Sequence, residues 1–367
     1  MKKDKIRVGI SHGDINGVGY EVIMKTLMDN RMMELCTPIV YGSPKVAAYH
    51  RKALNISNFS FNHIRSASEA DSQRANIINC IDDNIRVELG KSTQIAGEAS
   101  FIALEHAVKD LKEGKIDVLV TAPINKDNIQ SEYFNFPGHT EYLSDAFDSH
   151  NHLMLMVSGS IKIGVVAGHV PIAEVPSKIT KGAILKKLRT IQHTLEQDFS
   201  VKRPRIAVLG LNPHAGDNGL LGTEEQEVII PSIERAKEEG ILAMGPYPAD
   251  GFFGSSEFNR FDAILAMYHD QGLIPFKAMS FDNGVNYTAG LPVIRTSPAH
   301  GTAYNIAGED KASADSFRNA VYLAIDIFKS RSIYQEISQD PLKKQEIEQP
   351  TVDEDVDLTQ EELPEDI

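Results

Sequence analysis

The sequence predicts an α/β protein built on a mostly parallel sheet. Three observations carry this. Short apolar runs alternate with helical stretches between residues 6 and 330. Several of those runs end in polar loops, as parallel strands do at the edge where ligands bind. Hydrophobic residues make up 42% and charged residues 24% of a 367-residue chain, which is ample for two domains or one large one.

Taken in order, Ile6 to Ile10 reads as the first strand. It runs into Ser11-His12-Gly13-Asp14-Ile15-Asn16-Gly17-Val18-Gly19, and a helix is expected from about Glu21. The spacing is neither GxGxxG nor GxxxxGK[ST], so the stretch reads as a tight turn rather than a phosphate loop. Pro38 to Gly42 predicts a second strand, followed by a helix over 44–53. Residues 55–90 carry no clear pattern. Ala99, Ala103, Ala107 and Leu111 line one face of an expected helix over 96–112. Val118 to Val120 then leads into Thr121-Ala122-Pro123-Ile124-Asn125-Lys126. Gly138-His139-Thr140-Glu141 reads as a turn opening a helix, with Thr140 as its expected N-cap.

Three later runs share one plan. Ile161 to Ala167 ends at His169, Ile206 to Leu211 ends at His214, and Ala263 to Met267 ends at His269. Helices expected over 181–198 and 224–239 separate them. Parallel strands put their carboxyl ends on one edge, so the three imidazoles are candidates for one cleft. Three neutral His ligands with an open position make a catalytic zinc-type site. The last run opens the densest polar stretch, residues 261–297, in which Asp270, Lys277, Asn286 and Arg295 follow on expected loops. Two cations, an amide, a carboxylate and an imidazole there suggest an anionic substrate. Pro298-Ala299-His300-Gly301-Thr302-Ala303-Tyr304-Asn305 is a second small-residue loop, and a helix over 313–330 closes the folded part.

Charge and composition exclude other classes. Ten acidic residues and no basic one follow Lys344; without them the net charge of −14 would be −4. The folded part therefore offers no basic surface for nucleic acid, and residues 333–367 read as an acidic, flexible tail. Cys36 and Cys80 form neither a CxxC nor a disulfide framework. No apolar window suits a membrane span or a signal peptide, so a cytoplasmic enzyme is expected.

The set GHTEYL, AGHVP, LNPHAGD, PAD, YHDQG and HGTA, with Lys277, Asn286 and Arg295, resembles the 4-hydroxythreonine-4-phosphate dehydrogenase (PdxA) family of vitamin B6 synthesis. The resemblance covers residues 6–330. It implies two α/β/α lobes around a deep cleft, like isocitrate and isopropylmalate dehydrogenases and unlike a GxGxxG Rossmann fold. The implied lobes are 1–150 plus 290–332, and 151–289. It implies a homodimer with the active site at the subunit interface. His169, His214 and His269 would hold one divalent metal (Zn, Mg, Mn or Co). His139, Thr140, Lys277, Asn286 and Arg295 would contact substrate. His300, Gly301, Thr302, Ala303 and Asn305 would form the loop for NAD or NADP. Ala299, Asn305, Ile15-Asn16 and Tyr20 depart from the family pattern, which leaves nucleotide and fine substrate choice open.

The implied reaction oxidises 4-phosphooxy-L-threonine at C3 to a β-keto acid. Loss of CO2 then gives 3-amino-2-oxopropyl phosphate, on the route to pyridoxal 5'-phosphate. A cation on the alcohol oxygen would acidify it, and Asp250, Asp270 and Lys126 are candidate acid–base groups. Asp270 has a second reading, as a group that fixes a histidine tautomer. The alternatives are a dehydrogenase of a 4-phospho-threonate or erythronate, a metal-dependent hydrolase, and a binding protein with a relic site.

Overall fold

Twelve strands join one sheet in the computed structural model, which describes residues 5–149, 151–280 and 282–340. In chain order they are β1 (Ile6–Ser11), β2 (Cys36–Gly42), β3 (Asn62–Ile64), β4 (Asn76–Asn79), β5 (Val118–Thr121) and β6 (Leu153–Ser158). There follow β7 (Ile161–Ala167), β8 (Arg205–Leu209), β9 (Leu242–Tyr247), β10 (Ala263–Tyr268), β11 (Val285–Ala289) and β12 (Arg295–Pro298). Their spatial order is β3-β4-β2-β1-β5-β12-β11-β6-β7-β10-β8-β9.

The sheet is mixed. Strands β1 to β5, β12, and the group β7, β10, β8 and β9 pair in parallel. The centre departs: β11 is antiparallel to both β6 and β12, and β6 and β7 form a hairpin. Its two-residue turn is Gly159-Ser160, with Gly159 at φ +54°, the left-handed geometry that such turns need. Strand β12 inserts beside β5, so the chain returns to its first half after residue 290.

Helices cover both faces. Gln94–Lys112 packs its alanine stripe on β1, β2 and β5, and the Thr93 side chain caps it by accepting from Ala96 N. Lys181–Asp198 is capped in the same way by Thr180. Asp315–Ser338 lies across β12, β5 and β11. A buried knot holds this last helix. Arg331 donates to Asp198 through Nε at 2.6 Å and to the Tyr287 hydroxyl at 2.9 Å, and Tyr287 donates to Asp198.

Several expectations are corrected. Residues 55–90 contain β3 and β4. Lys277 stands in the helix His269–Met279, Asn286 on β11 and Arg295 on β12, not on loops. The helix after Phe136-Pro137 starts at His139, with Gly138 in the cap position and Thr140 inside the first turn. The helix expected over 224–239 is present, with π geometry over Glu225–Ile229 running directly into the α-helix Ile230–Glu238. The last helix continues to Ser338, so residues 333–338, expected as tail, are helical. The acidic run after Lys344 lies outside the described residues. No helix among the described residues is long and apolar enough to cross a membrane.

Candidate active site

A cavity of about 250 Å³ opens where the two halves of the sheet meet around β12 and β11. Each wall has a distinct origin. The loop after β5 brings Lys126, and the helix His139–Ala146 brings His139, Thr140 and Glu141. Asn286 comes from β11, Arg295 and Ser297 from β12, and Lys277 from the last turn of His269–Met279. His169 follows β7, and His300-Gly301 follows β12. Met154, Met156 and Leu273 supply the apolar part.

Arg295 is the floor, only 2% exposed. Thr121 Oγ1 accepts from its Nε and Nη2 at 3.1 and 2.6 Å, and Thr288 Oγ1 accepts from Nη1 at 3.1 Å. Among the described residues no carboxylate bonds to it, and burial lowers its pKa to about 9, which the charge of Glu141 opposes. The guanidinium is therefore held rigidly with its charge unneutralised, a state that an anion relieves. His139 is kept neutral, well below the ordinary histidine range, by burial and then by the charges of Arg295 and Lys126. Three buried polar atoms on the walls have no hydrogen-bond partner: His139 Nε2, Asn286 Oδ1 and His300 Nε2. Buried polar groups are rarely left so, and these three belong to residues that line the cavity.

The histidines expected to share a cation are only partly gathered. The strands preceding them are parallel and adjacent, in the order β7, β10, β8. The His169 and His269 ring centroids are 5.7 Å apart. His269 Nδ1 and Asp270 Oδ1 are 2.6 Å apart, which fixes the ring and leaves Nε2 available. Lys126 Nζ lies 3.4 Å from His169 Nε2. Burial, and then Lys126, lowers the His169 pKa, so this ring is neutral as a ligand must be. His214 is exposed, in a left-handed run from His214 to Asn218. Among the described residues, no group of three or more His, Cys, Asp or Glu is gathered to hold a metal ion. Within one protomer the His169 and His269 rings lie together, and His214 stands apart on the loop after β8. The reason lies in the loop after β8, whose backbone turns back on the buried Glu225 carboxylate, an acceptor from Leu211 N, Asn212 N and Asn212 Nδ2.

Asp250 is exposed in the first turn of Ala249–Gly254, beyond the edge strand β9, and does not line the cavity. A second cavity of about 440 Å³ adjoins the first and shares Lys277, Ala299 and His300 with it. Val18, Phe276, Ala303 and Ile306 give it apolar walls. Of the expected cofactor loop, His300 lines both cavities, Gly301 the first and Ala303 the second; Thr302 and Asn305 line neither. Thr302 instead accepts from Val18 N at 3.0 Å. A Cβ on Gly17 would stand 2.7 Å from Thr302 O, so glycine permits this approach.

The same N-terminal loop braces the site. Asp14 accepts from the Tyr304 hydroxyl at 2.7 Å and from Asn128 Nδ2 at 2.8 Å. It thereby ties the loop of Lys126 to that of His300. Sequence reasoning missed this role of Asp14, and missed Glu141 as a wall residue. Neither stands in a spacing that signals it.

This constellation has close counterparts. The family model described as pyridoxal phosphate biosynthetic protein PdxA matches residues 34–324. The chain belongs to the PdxA family. A 4-hydroxythreonine-4-phosphate dehydrogenase from Bacteroides thetaiotaomicron is 56% identical to this PdxA-family chain over 94% of it and 95% of its own length. A relative from Oceanobacillus iheyensis, provisionally named D-threonate 4-phosphate dehydrogenase, is 38% identical over 89% of this chain and 99% of its own. The crystal structure of a 4-hydroxythreonine-4-phosphate dehydrogenase from Klebsiella pneumoniae superposes with a TM-score of 0.78 at 31% identity, covering 89% of this chain and 99% of that one. PdxA membership makes the chain a dehydrogenase with a mixed α/β fold.

Proposed function

We propose that this PdxA-family chain oxidises 4-phosphooxy-L-threonine at C3 with NAD+ or NADP+, and that the β-keto acid formed loses CO2 to give 3-amino-2-oxopropyl phosphate. The observation that carries the reading is the single cavity shared by Arg295, Lys277, His139, Asn286 and Lys126, beside the His169–His269 pair. Arg295 and Lys277 are suited to the substrate's phosphate and carboxylate. Asn286 Oδ1 has no partner among the described residues and could accept from the substrate's hydroxyl, and His139 Nε2 could donate to a carboxylate oxygen.

The donor set supports a divalent cation. Two neighbouring imidazoles, one fixed by Asp270, would serve as ligands. His214 would complete the set from its exposed loop, in this protomer or from a second copy. When bound, such a cation acidifies an alcohol and stabilises developing negative charge on oxygen. The chain's own residues do the rest. Lys126 lies on the cation side of the cavity, where its ammonium can stabilise the C3 oxygen as hydride leaves for the nicotinamide and give a proton to carbon after CO2 departs, while the hydroxyl proton passes to Asp270 or to solvent. The adjoining cavity would take the nucleotide, its apolar walls stacking against a base or nicotinamide ring.

The lobes 1–150 plus 290–332 and 151–289 belong to this proposal, supported by the insertion of β12 beside β5. A homodimer does as well. Ile172 and Leu220 are 71% and 78% exposed, each a few residues past a candidate ligand histidine, and Ile274 is 65% exposed in the helix that His269 begins. Apolar side chains around the histidine loops suit a second copy that closes the site. Removing divalent cations with a chelator is expected to abolish turnover, and resupplying Zn, Mg, Mn or Co to restore it. His269→Ala is expected to lose cation affinity while keeping its melting temperature. Full turnover in metal-free buffer would contradict the cation's part.

A further inference from the structure

One charge in the cavity is not used by the reaction as described. Glu141 is the sole carboxylate among the described residues that line it, beside Lys126, Lys277 and Arg295. It follows His139 and Thr140 on the same helix. Its carboxylate lies against Gly138, where a built Cβ would be 3.4 Å from Glu141 Oε2 and 3.7 Å from Lys126 Cε. Even so, no hydrogen bond or ion pair of the Glu141 side chain is found among the described residues. Its field reaches across the space, since it raises the pKa of both Arg295 and His169.

A free carboxylate is costly in a pocket built for a dianionic phosphate and a carboxylate, because like charges repel across a partly desolvated space. The cost disappears when the ligand brings a cation. 4-Phosphooxy-L-threonine carries an α-ammonium at C2. D-threonate 4-phosphate, the molecule in one relative's name, carries a hydroxyl there. A carboxylate at the first turn of a helix has a general reason to be there, the positive end of the helix dipole. That reason does not require it to line the cavity.

We propose that Glu141 receives the substrate's α-ammonium and so selects the phosphorylated amino acid over the corresponding hydroxy acid. This rests on the reading that the cavity binds a phosphorylated acid. It settles within that reading which of the two acids is preferred. Selection works in both directions: the ammonium gains a charge-assisted bond, and the hydroxy acid meets an unneutralised carboxylate.

The test measures kcat/KM for 4-phosphooxy-L-threonine and for D-threonate 4-phosphate, on wild-type protein, Glu141→Gln and Glu141→Asp. Wild type is expected to prefer the amino acid. In Glu141→Gln the ratio of the two values should fall by about tenfold or more, as loss of a charged hydrogen bond implies, chiefly through KM for the amino acid. Glu141→Asp should keep most of the preference. A ratio unchanged in Glu141→Gln, even with both activities reduced together, overturns the proposal and assigns Glu141 to the helix, the cation or the cofactor. So does a wild type that prefers the hydroxy acid. A wild type that oxidises neither acid, with either nucleotide and a divalent cation, overturns the underlying reading instead and removes the inference with it.

Discussion

Arg295 is almost wholly buried at the base of the cavity, fastened by two threonine hydroxyls and, among the described residues, by no carboxylate. Its planar fork meets Thr121 and Thr288 through three separate nitrogens, a spread that the single nitrogen of an ammonium does not reproduce. Arg295→Lys is therefore expected to raise KM by about ten- to a hundredfold, the cost of a lost charged contact, with a smaller effect on kcat. Steady-state kinetics checks the split; an unchanged KM would remove Arg295 from substrate binding. The histidines give a second prediction. His12 and His50 both stack against Tyr20, with ring centroids 5.2 and 5.1 Å away. Burial lowers each to about 4. The unfolded chain takes up these protons near pH 6.5, and the folded chain does so only near 4. Stability is complete above 6.5 and declines as pH falls through that window, by up to ~3 kcal/mol per residue. Thermal midpoints measured from pH 7 to 4 should fall, and the fall should be shallower in His50→Gln. A flat profile contradicts the buried, neutral state of these rings. At this scale the sequence was legible where a motif fixed the residue. His139, Lys277, Asn286 and Arg295 do line one cavity. Asp14 and Glu141 were not legible, because a carboxylate in a turn or at a helix start looks the same whether it braces, caps or binds.

Among the elements, those with strong periodicity were readable. The strands β1, β2, β5, β7, β8 and β10 and the helices over 94–112 and 181–198 appear within a few residues of expectation. The centre of the sheet was not. Strand β12 is the four residues Arg295 to Pro298, polar in sequence yet buried throughout. Strand β11 is short and bounded by glycines at 284 and 290. Burial from both faces makes these strands, and no local pattern reports it. The helix His269–Met279 was hidden by Gly272 and by the interior Pro275. Gly272 is there for packing, since a Cβ would stand 2.9 Å from Ile163 Cγ2. The unread strands carry Asn286 and Arg295, so their support matters to the site. Helix 315–338 supplies it through Arg331, Asp198 and Tyr287, with Asp198 1% and Arg331 10% exposed. Asp198→Ala leaves a buried guanidinium without its partner and is expected to cost ~3–5 kcal/mol, read by denaturant unfolding. A loss under about 1 kcal/mol, the scale of a surface ion pair, would show that the knot does not hold the helix.

For the molecule as a whole, the sheet explains why one cavity collects residues far apart in sequence. The parallel strands of each half share one direction, and the three antiparallel pairings at the centre reverse that direction between the halves, so the cavity forms at the reversal, where β12 crosses back beside β5. Lys126, His169 and Arg295 thus meet although the chain between them builds most of the second half. Continuity of the sheet was not legible, because nothing local marks a strand that returns. The sequence did indicate the chemistry, because the motifs lie at strand ends. The central claim is that this cavity oxidises a phosphorylated amino acid and that CO2 follows the hydride. The direct measurement follows reduced nicotinamide and CO2 together, with 4-phosphooxy-L-threonine, each nucleotide and a divalent cation. The account predicts both products in equal amounts, and neither when Arg295 and Lys277 are replaced together. Reduced nicotinamide without CO2, or no reaction with either nucleotide, would contradict it.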